Sequence, residues 1–137
     1  MPGGFDGLRV LALESRRATE IAELIRRHGG EPVSAPSMRE IPLEENEAAI
    51  DFAHRLAAGE IDVVVLLTGV GTRALAAAIE GVLPRDALAA ELRKRTVLAR
   101  GPKPVAALRE LGLAPTITVP EPNTWRELLA ALDRELP

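Results

Sequence analysis

The run "IDVVVLLTGVGTRAL", Ile61 to Leu75, constrains the fold more than any other stretch of the chain. Its unbroken apolar part predicts a strand covered by helices on both faces, and therefore a central strand of a parallel sheet. The strand stops on Thr68-Gly69, and a helix follows from about Val70 to Ile79. A phosphate loop would need a longer glycine loop ending in Gly-Lys-Ser/Thr, and this stretch has neither the length nor the lysine. A dinucleotide fingerprint would need a third glycine where Ala74 stands, and it belongs after the first strand of a fold. What remains is a helix N-terminus whose amides, with the hydroxyls of Thr68 and Thr72, suit an anion or carbonyl group. The competing reading is structural: Gly69 and Gly71 supply the tight turn and the threonines cap the helix.

The rest of the chain repeats the alternation of short apolar runs and helical patterns that marks a parallel α/β sheet. "LRVLALES" predicts a first strand, and "ATEIAELIRRHGG" a helix with Ile21, Leu24 and Ile25 on one face and glycines as its stop. "EPVSAPSMREIP" carries three prolines and reads as an edge strand or a crossover. "ENEAAIDFAHRLAAGE" predicts a helix ending at Gly59, its acidic start suiting the helix dipole. Beyond the central run come a helix in "PRDALAAELRKR", the strand "TVLA" and a helix in "GPKPVAALRELG", with proline at its first turn. "PTITVP" is the last strand, and "NTWRELLAALDREL" the last helix, capped by Asn123 or Thr124. The expected architecture is a three-layer α/β fold with about five parallel strands in a flavodoxin-like sheet. Right-handed crossovers then bring every strand's C-terminal end to one edge.

Several classes of function are excluded by composition. The chain has 137 residues, enough for one compact domain. A net charge of -3 gives no electrostatic reason to expect nucleic acid or an anionic membrane. There is no cysteine and no tyrosine, and His28 and His54 are the only imidazoles, so thiol chemistry and His-rich metal sites are out. Both histidines read as structural, His28 because a cation suits the end of its helix. The start "MPGGFDG" is not a signal peptide, and no apolar run approaches the roughly 20 residues of a membrane span. A soluble, cytoplasmic protein is expected. Positive charge is nearly all arginine, with only Lys94 and Lys103 besides. Arginine grips carboxylates or phosphates through two parallel hydrogen bonds.

Cations and hydroxyls gather where the strands end. Arg100, Gly101 and Lys103 follow "TVLA", Arg16 and Arg17 follow the first strand, and Asn123 and Thr124 follow the last. Four strand ends offering amides, hydroxyls or cations to one edge point to an anionic ligand bearing carboxylates.

"VVVLLTGVGTRAL" followed by "VLARGPKPVAALRELGLAPTITVPEPNTWRELLAAL" resembles the uroporphyrinogen-III synthase family, whose members show an apolar strand, a Thr-Ser-type turn and a Val-Gly-x-x-Thr-Ala-x-Ala-Leu helix. The opening "RVLALESRRATEIAELIRRHGGEPVSAPSMREI" is similar to the family's start, and the likeness as a whole is to the N-terminal half of a two-lobed enzyme. The resemblance implies a lyase of tetrapyrrole, porphyrin and heme biosynthesis. Its substrate is a linear tetrapyrrole with carboxylate side chains, hydroxymethylbilane. The terminal hydroxyl leaves as water, the last pyrrole ring inverts through a spiro intermediate, and the macrocycle closes to uroporphyrinogen III. No metal or cofactor is implied.

The same resemblance implies that residues 1–31, a strand-helix unit, pack in a different lobe from the rest, with 32–42 as the crossing segment. A homodimer by strand exchange, or a second half outside this sequence, would then complete the two lobes. Candidate binders are Thr68, Gly69, Thr72, Gly101, Lys103 and Thr124, with Arg16, Arg17 and Arg100 as electrostatic partners. No catalytic residue is assigned, because the tyrosine implied to help the hydroxyl leave belongs to the family's second half and this chain has none, and the Thr of the family's Gly-x-x-Thr turn is replaced near Lys103-Pro104. The alternative is a non-catalytic tetrapyrrole- or anion-binding regulatory module on the same fold. A receiver domain fits poorly, since Arg16-Arg17 stands where its acidic pair would be.

Overall fold

The computed structural model describes residues 4–38 and 46–136. The chain divides into two compact units, Met1–Pro42 and Leu43–Pro137.

The first unit is a strand-helix-strand: β1 (Arg9–Ala12), α1 (Ala18–Arg27) and β2 (Glu31–Ser34). The two strands pair in parallel, with Val10 opposite Pro32 and Leu11 opposite Val33. α1 packs on this pair and buries Ile25, while Leu24 on the expected apolar face remains exposed. A side chain at Gly30 would force its neighbours to shift, because a Cβ there would lie 2.9 Å from the Ile25 methyl and 3.1 Å from Phe5. β2 is the edge strand expected of the proline-containing segment. It takes up the first residues of the stretch 32–42 assigned to a crossing, and 39–42 lie outside the described residues.

The second unit holds α2 (Glu47–Ala57), β3 (Val63–Leu66), α3 (Gly69–Ala78), α4 (Arg85–Arg93), β4 (Thr96–Ala99), α5 (Pro102–Glu110), β5 (Ile117–Thr118) and α6 (Trp125–Glu135). Each element lies where the periodicity predicts it. Asn46 caps α2, its carbonyl oxygen accepting from the Ala49 amide at 3.0 Å, and Gly59 at φ +78 turns the chain out of that helix. The strands run in parallel in the order β3-β4-β5.

Alternation along the strands sorts two cores. Val64, Leu66, Val97 and Ala99 face Ala53 and Leu56 of α2, Leu88 and Leu92 of α4, and Leu108 of α5, with Ile79 and Leu83 between α3 and α4. Leu98, Ile117 and Val119 face Ala131, Leu128 and Leu132 of α6. Leu56, Ile79, Leu98 and Leu108 are fully buried, each contributing about 1.5–3 kcal/mol of transfer free energy.

Two expectations change. The five strands are present and parallel, but in a two-stranded and a three-stranded sheet, not in one sheet of five. The central strand of the larger sheet is β4, whose Val97, Leu98 and Ala99 are all buried; the apolar run Val63–Leu66 forms an edge, with Val65 39% exposed. The physical reason is that β3 pairs on one side only among the described residues. An apolar run reports that both faces are built for burial, and it does not report where the cover comes from. No helix among the described residues is long and apolar enough to cross a membrane.

Candidate functional site

In the second unit the turns after β3, β4 and β5 share one edge of the sheet. At the first, Thr68 caps α3 with its Oγ1 accepting from the Gly71 amide at 2.9 Å. Thr68 is exposed, and its hydroxyl proton remains available for a ligand. Thr72 differs: it is 6% exposed, and its Oγ1 donates to the Thr68 carbonyl at 2.7 Å. That bond ties up the donor in the helix itself.

Gly69 is buried, and its reason is the close approach of two helix starts. A Cβ there would lie 2.7 Å from the carbonyl oxygen of Lys103, in the first turn of α5. The α3 turn and the α5 turn are therefore in backbone contact. Lys103 itself is exposed, Arg100 is half-buried, and neither is ion-paired among the described residues. Gly101, the residue before α5, has fully extended backbone; a Cβ there would meet Asn123 Oδ1 at 3.4 Å, an ordinary contact. Asn123 adopts φ +59, which asparagine tolerates, and its Nδ2 donates to the Val119 carbonyl at 2.7 Å. The third turn so leans on the second.

Thr124 opens α6 in a capping box. Its amide donates to Glu127 Oε2 at 2.8 Å, its hydroxyl donates to the same carboxylate, and its Oγ1 accepts from the Arg126 amide at 3.3 Å. The Thr124 hydroxyl bond, with the amides of Glu127 and Thr124 and the charge of Arg126 behind it, holds the Glu127 carboxyl below its usual value. A lowered native value means the cap is at full strength above the ordinary glutamate range and is lost as pH falls through the lower, native value. Protection factors of the amides in the first turn of α6, corrected for the intrinsic slowing of exchange in acid, should therefore fall on acidification only below the ordinary glutamate range. In Glu127→Gln the acid-dependent part of that change should vanish.

Arg16 and Arg17 belong to the first unit, at the C-terminal end of β1. The Arg16 amide donates to Glu14 Oε1 at 3.1 Å, and Arg17 precedes α1 without a side-chain cap. Thr68, Gly69, Gly101, Lys103 and Thr124 thus come together on one edge, while the two arginines stand at the strand end of the other unit.

Sequence reasoning missed the clamp between α3 and α5. Arg73 grips Glu110 with Nε at 2.9 and 3.1 Å from the two carboxylate oxygens and a terminal nitrogen at 2.6 Å. This bond, reinforced by the Arg73 charge, holds Glu110 below the usual glutamate value. Arg85 donates to the Glu110 carbonyl as well. Residues 37 apart give no local signal of pairing. A cavity of about 200 Å³ lies at the opposite end of the strands, under Arg95, Val97 and Thr116. Among the described residues no group of three or more His, Asp or Glu is placed to hold a metal. His28 lies at the end of α1 with its ring edge-on to Phe5, and His54 is exposed on α2.

The arrangement offers helix N-termini, a hydroxyl proton and cations without an ion pair among the described residues to one edge, which is chemistry for gripping carboxylates. Three solved structures of uroporphyrinogen III synthase from Thermus thermophilus are similar to this chain. One has 31% identity and a TM-score of 0.52, covering 90% of this chain and 47% of that one. A mutant form has 28% identity and a TM-score of 0.63 at the same coverage. The wild-type native form has 30% identity and a TM-score of 0.57 over 96% and 48%. "Uncharacterized protein YjjA" of Bacillus subtilis (strain 168) is 31% identical over 97% of this chain and 48% of its own length. The chain spans about half the length of these relatives. The family model described as "Uroporphyrinogen-III synthase HemD" matches residues 19–137, and the chain therefore belongs to the uroporphyrinogen-III synthase family.

Proposed function

We propose that this chain binds a linear tetrapyrrole through its carboxylates and takes part in closing it to uroporphyrinogen III. The observation that supports this reading is the single edge shared by Thr68, Gly101, Lys103 and Thr124, in a chain whose family match covers residues 19–137. In the reaction the terminal carbon–oxygen bond of hydroxymethylbilane breaks, and the hydroxyl leaves with a proton as water. The last pyrrole attacks that cationic terminus through its substituted carbon to give the spiro intermediate. The bond from that carbon to the bilane chain breaks and re-forms at the ring's free carbon so that the ring is inverted, and loss of a proton restores aromaticity. No oxidant or reductant is needed. The chain's own part is positioning: amides and cations hold the carboxylates so that the two reacting ends meet.

The second reading is a tetrapyrrole- or anion-binding module without the chemistry. It is favoured by one observation, Pro104 in the first turn of α5, which has no amide to give to a ligand. A complete pair of lobes, by exchange with a second copy or from a further half, belongs to both readings.

Pure chain supplied with the bilane should yield the type III macrocycle, against the type I product that forms spontaneously. Uroporphyrin binding without any type III product would leave the module reading, and neither result would remove both. Thr68→Ala should cost about 1 kcal/mol of stability through the lost cap. If the Thr68 hydroxyl also meets a carboxylate, uroporphyrin affinity should fall by about tenfold in the same variant.

A further inference from the structure

Trp125 stands exposed at the start of α6, directly after the Thr124 cap, and we propose that a pyrrole ring of the bound tetrapyrrole stacks on it. The inference rests on the ligand reading above and adds what that reading lacks. Amides, hydroxyls and cations grip carboxylates, but a tetrapyrrole is also four flat rings. Held by its arms alone, such a ligand would leave its apolar area in water. Trp125 is placed to take a ring. The turn into α6 touches the start of α5, where a Cβ on Gly101 would meet Asn123 Oδ1 at 3.4 Å. The start of α5 in turn touches α3 at Gly69, so Trp125 belongs to the same edge as Lys103 and Thr68. Helix side chains tilt toward the N-terminus, and a first-turn residue therefore reaches back past the helix start, toward that edge.

Packing does not account for this tryptophan. It is 64% exposed, and α6 is held on its sheet by Leu128, Ala131 and Leu132. The other two aromatic residues are used within the fold: Phe52 packs on the larger core, and Phe5 lies against Gly30 and edge-on to His28. An indole left in water forgoes the burial of about 150–250 Å² that gives aromatic side chains their weight in cores and interfaces. Its ring is nonetheless oriented. The Arg126 guanidinium stands over it, 5.2 Å from the centroid. No other ring or cation meets it among the described residues.

The neighbours choose the occupant. Leu67 and Val70, on either side of the Thr68-Gly69 turn, are exposed as well, so apolar surface accompanies each of the two exposed threonine hydroxyls of the edge. Between and beside these patches stand Arg100, Lys103 and Arg126, none of them ion-paired among the described residues. A purely apolar partner surface would bury those cations without partners, which is costly. A simple anion would satisfy the cations and leave the indole in water. Flat rings bearing carboxylate arms meet both demands at once, with a ring on Trp125 and its arms toward the cations.

Trp125 is the chain's one tryptophan, so indole emission reports this position alone. Acrylamide should quench it freely in the free chain. Saturating uroporphyrinogen, kept reduced under nitrogen so that its rings do not absorb the emission, should remove that quenching. Emission already shielded in the free chain, or still quenched at saturation, overturns the proposal. Trp125→Ala should weaken uroporphyrin binding about tenfold, and Trp125→Phe should recover most of the loss, because a phenyl ring keeps a stacking face. Trp125→Leu, apolar but not flat, should stay near the alanine variant. Urea melts of all three should match wild type, since the side chain lies outside the core. Butane-1,2,3,4-tetracarboxylate, a ligand with carboxylates and no ring, should displace uroporphyrin through the same cations and bind wild type and Trp125→Ala equally. Uroporphyrin held equally well by wild type and Trp125→Ala removes the stacking and leaves the carboxylate grip standing. Wild-type chain that binds neither ligand removes the ligand reading and the stacking with it, so the two failures are told apart.

Discussion

Leu108→Ala should destabilise the second unit by about 3–5 kcal/mol, and Leu98→Ala by about 2–3 kcal/mol, in urea unfolding followed by circular dichroism. Both side chains are fully buried, so the transfer loss is similar and the difference lies in the cavity. Leu108 sits in the larger core, walled by strands and by helices α2 and α4. Those walls are held from several sides and collapse little. Leu98 faces α6, the last helix, packed through Ala131, Leu128 and Leu132. A helix held on this core by so few side chains can settle toward a void, which lowers the cost. For a unit of this size the whole stability is about 5–14 kcal/mol, so the Leu108 variant should lose a large part of it. Equal losses at the two sites would mean that α6 is held as rigidly as the central helices.

The elements were legible because each is signalled within its own residues. Apolar spacing, a capping Asn46 or Thr124 and glycine stops such as Gly59 act over one or two turns. Strand order was not legible, because pairing is decided between distant residues. "VVVL" at 63–66 has the sequence of a strand covered on both faces and lies at an edge of its sheet. The site shows the same division. Thr68 as a cap follows from the Thr-Gly turn alone. The loss of the Thr72 donor to the helix depends on burial against packed neighbours. The Arg73–Glu110 clamp and the reason for Gly69 depend on α3 meeting α5, which no local pattern encodes.

Gly69→Val should cost about 3 kcal/mol, near the top of the range for overpacking. The new Cβ would stand 2.7 Å from the Lys103 carbonyl oxygen and 3.1 Å from its carbon. These are backbone atoms, so no rotamer change relieves the clash and the first turn of α5 must move. Gly69→Ala meets the same atoms, but alanine's better helix propensity offsets up to about 1 kcal/mol. Two other glycines serve as controls on the same edge. At Gly71 a Cβ would lie 2.7 Å from Thr68 Oγ1, so Gly71→Ala displaces the cap and should cost about 1 kcal/mol. At Gly101 the nearest atom is Asn123 Oδ1 at 3.4 Å, and Gly101→Ala should change stability by less than about 0.5 kcal/mol. Thermal or urea melts of the four variants give the ranking directly. Since the Gly69 contact is what brings the Thr68 and Lys103 turns together, Gly69→Val should also weaken uroporphyrin binding beyond its effect on the folded fraction. A Gly69→Val chain as stable as wild type would mean that the starts of α3 and α5 do not touch, and the shared edge would lose its physical basis.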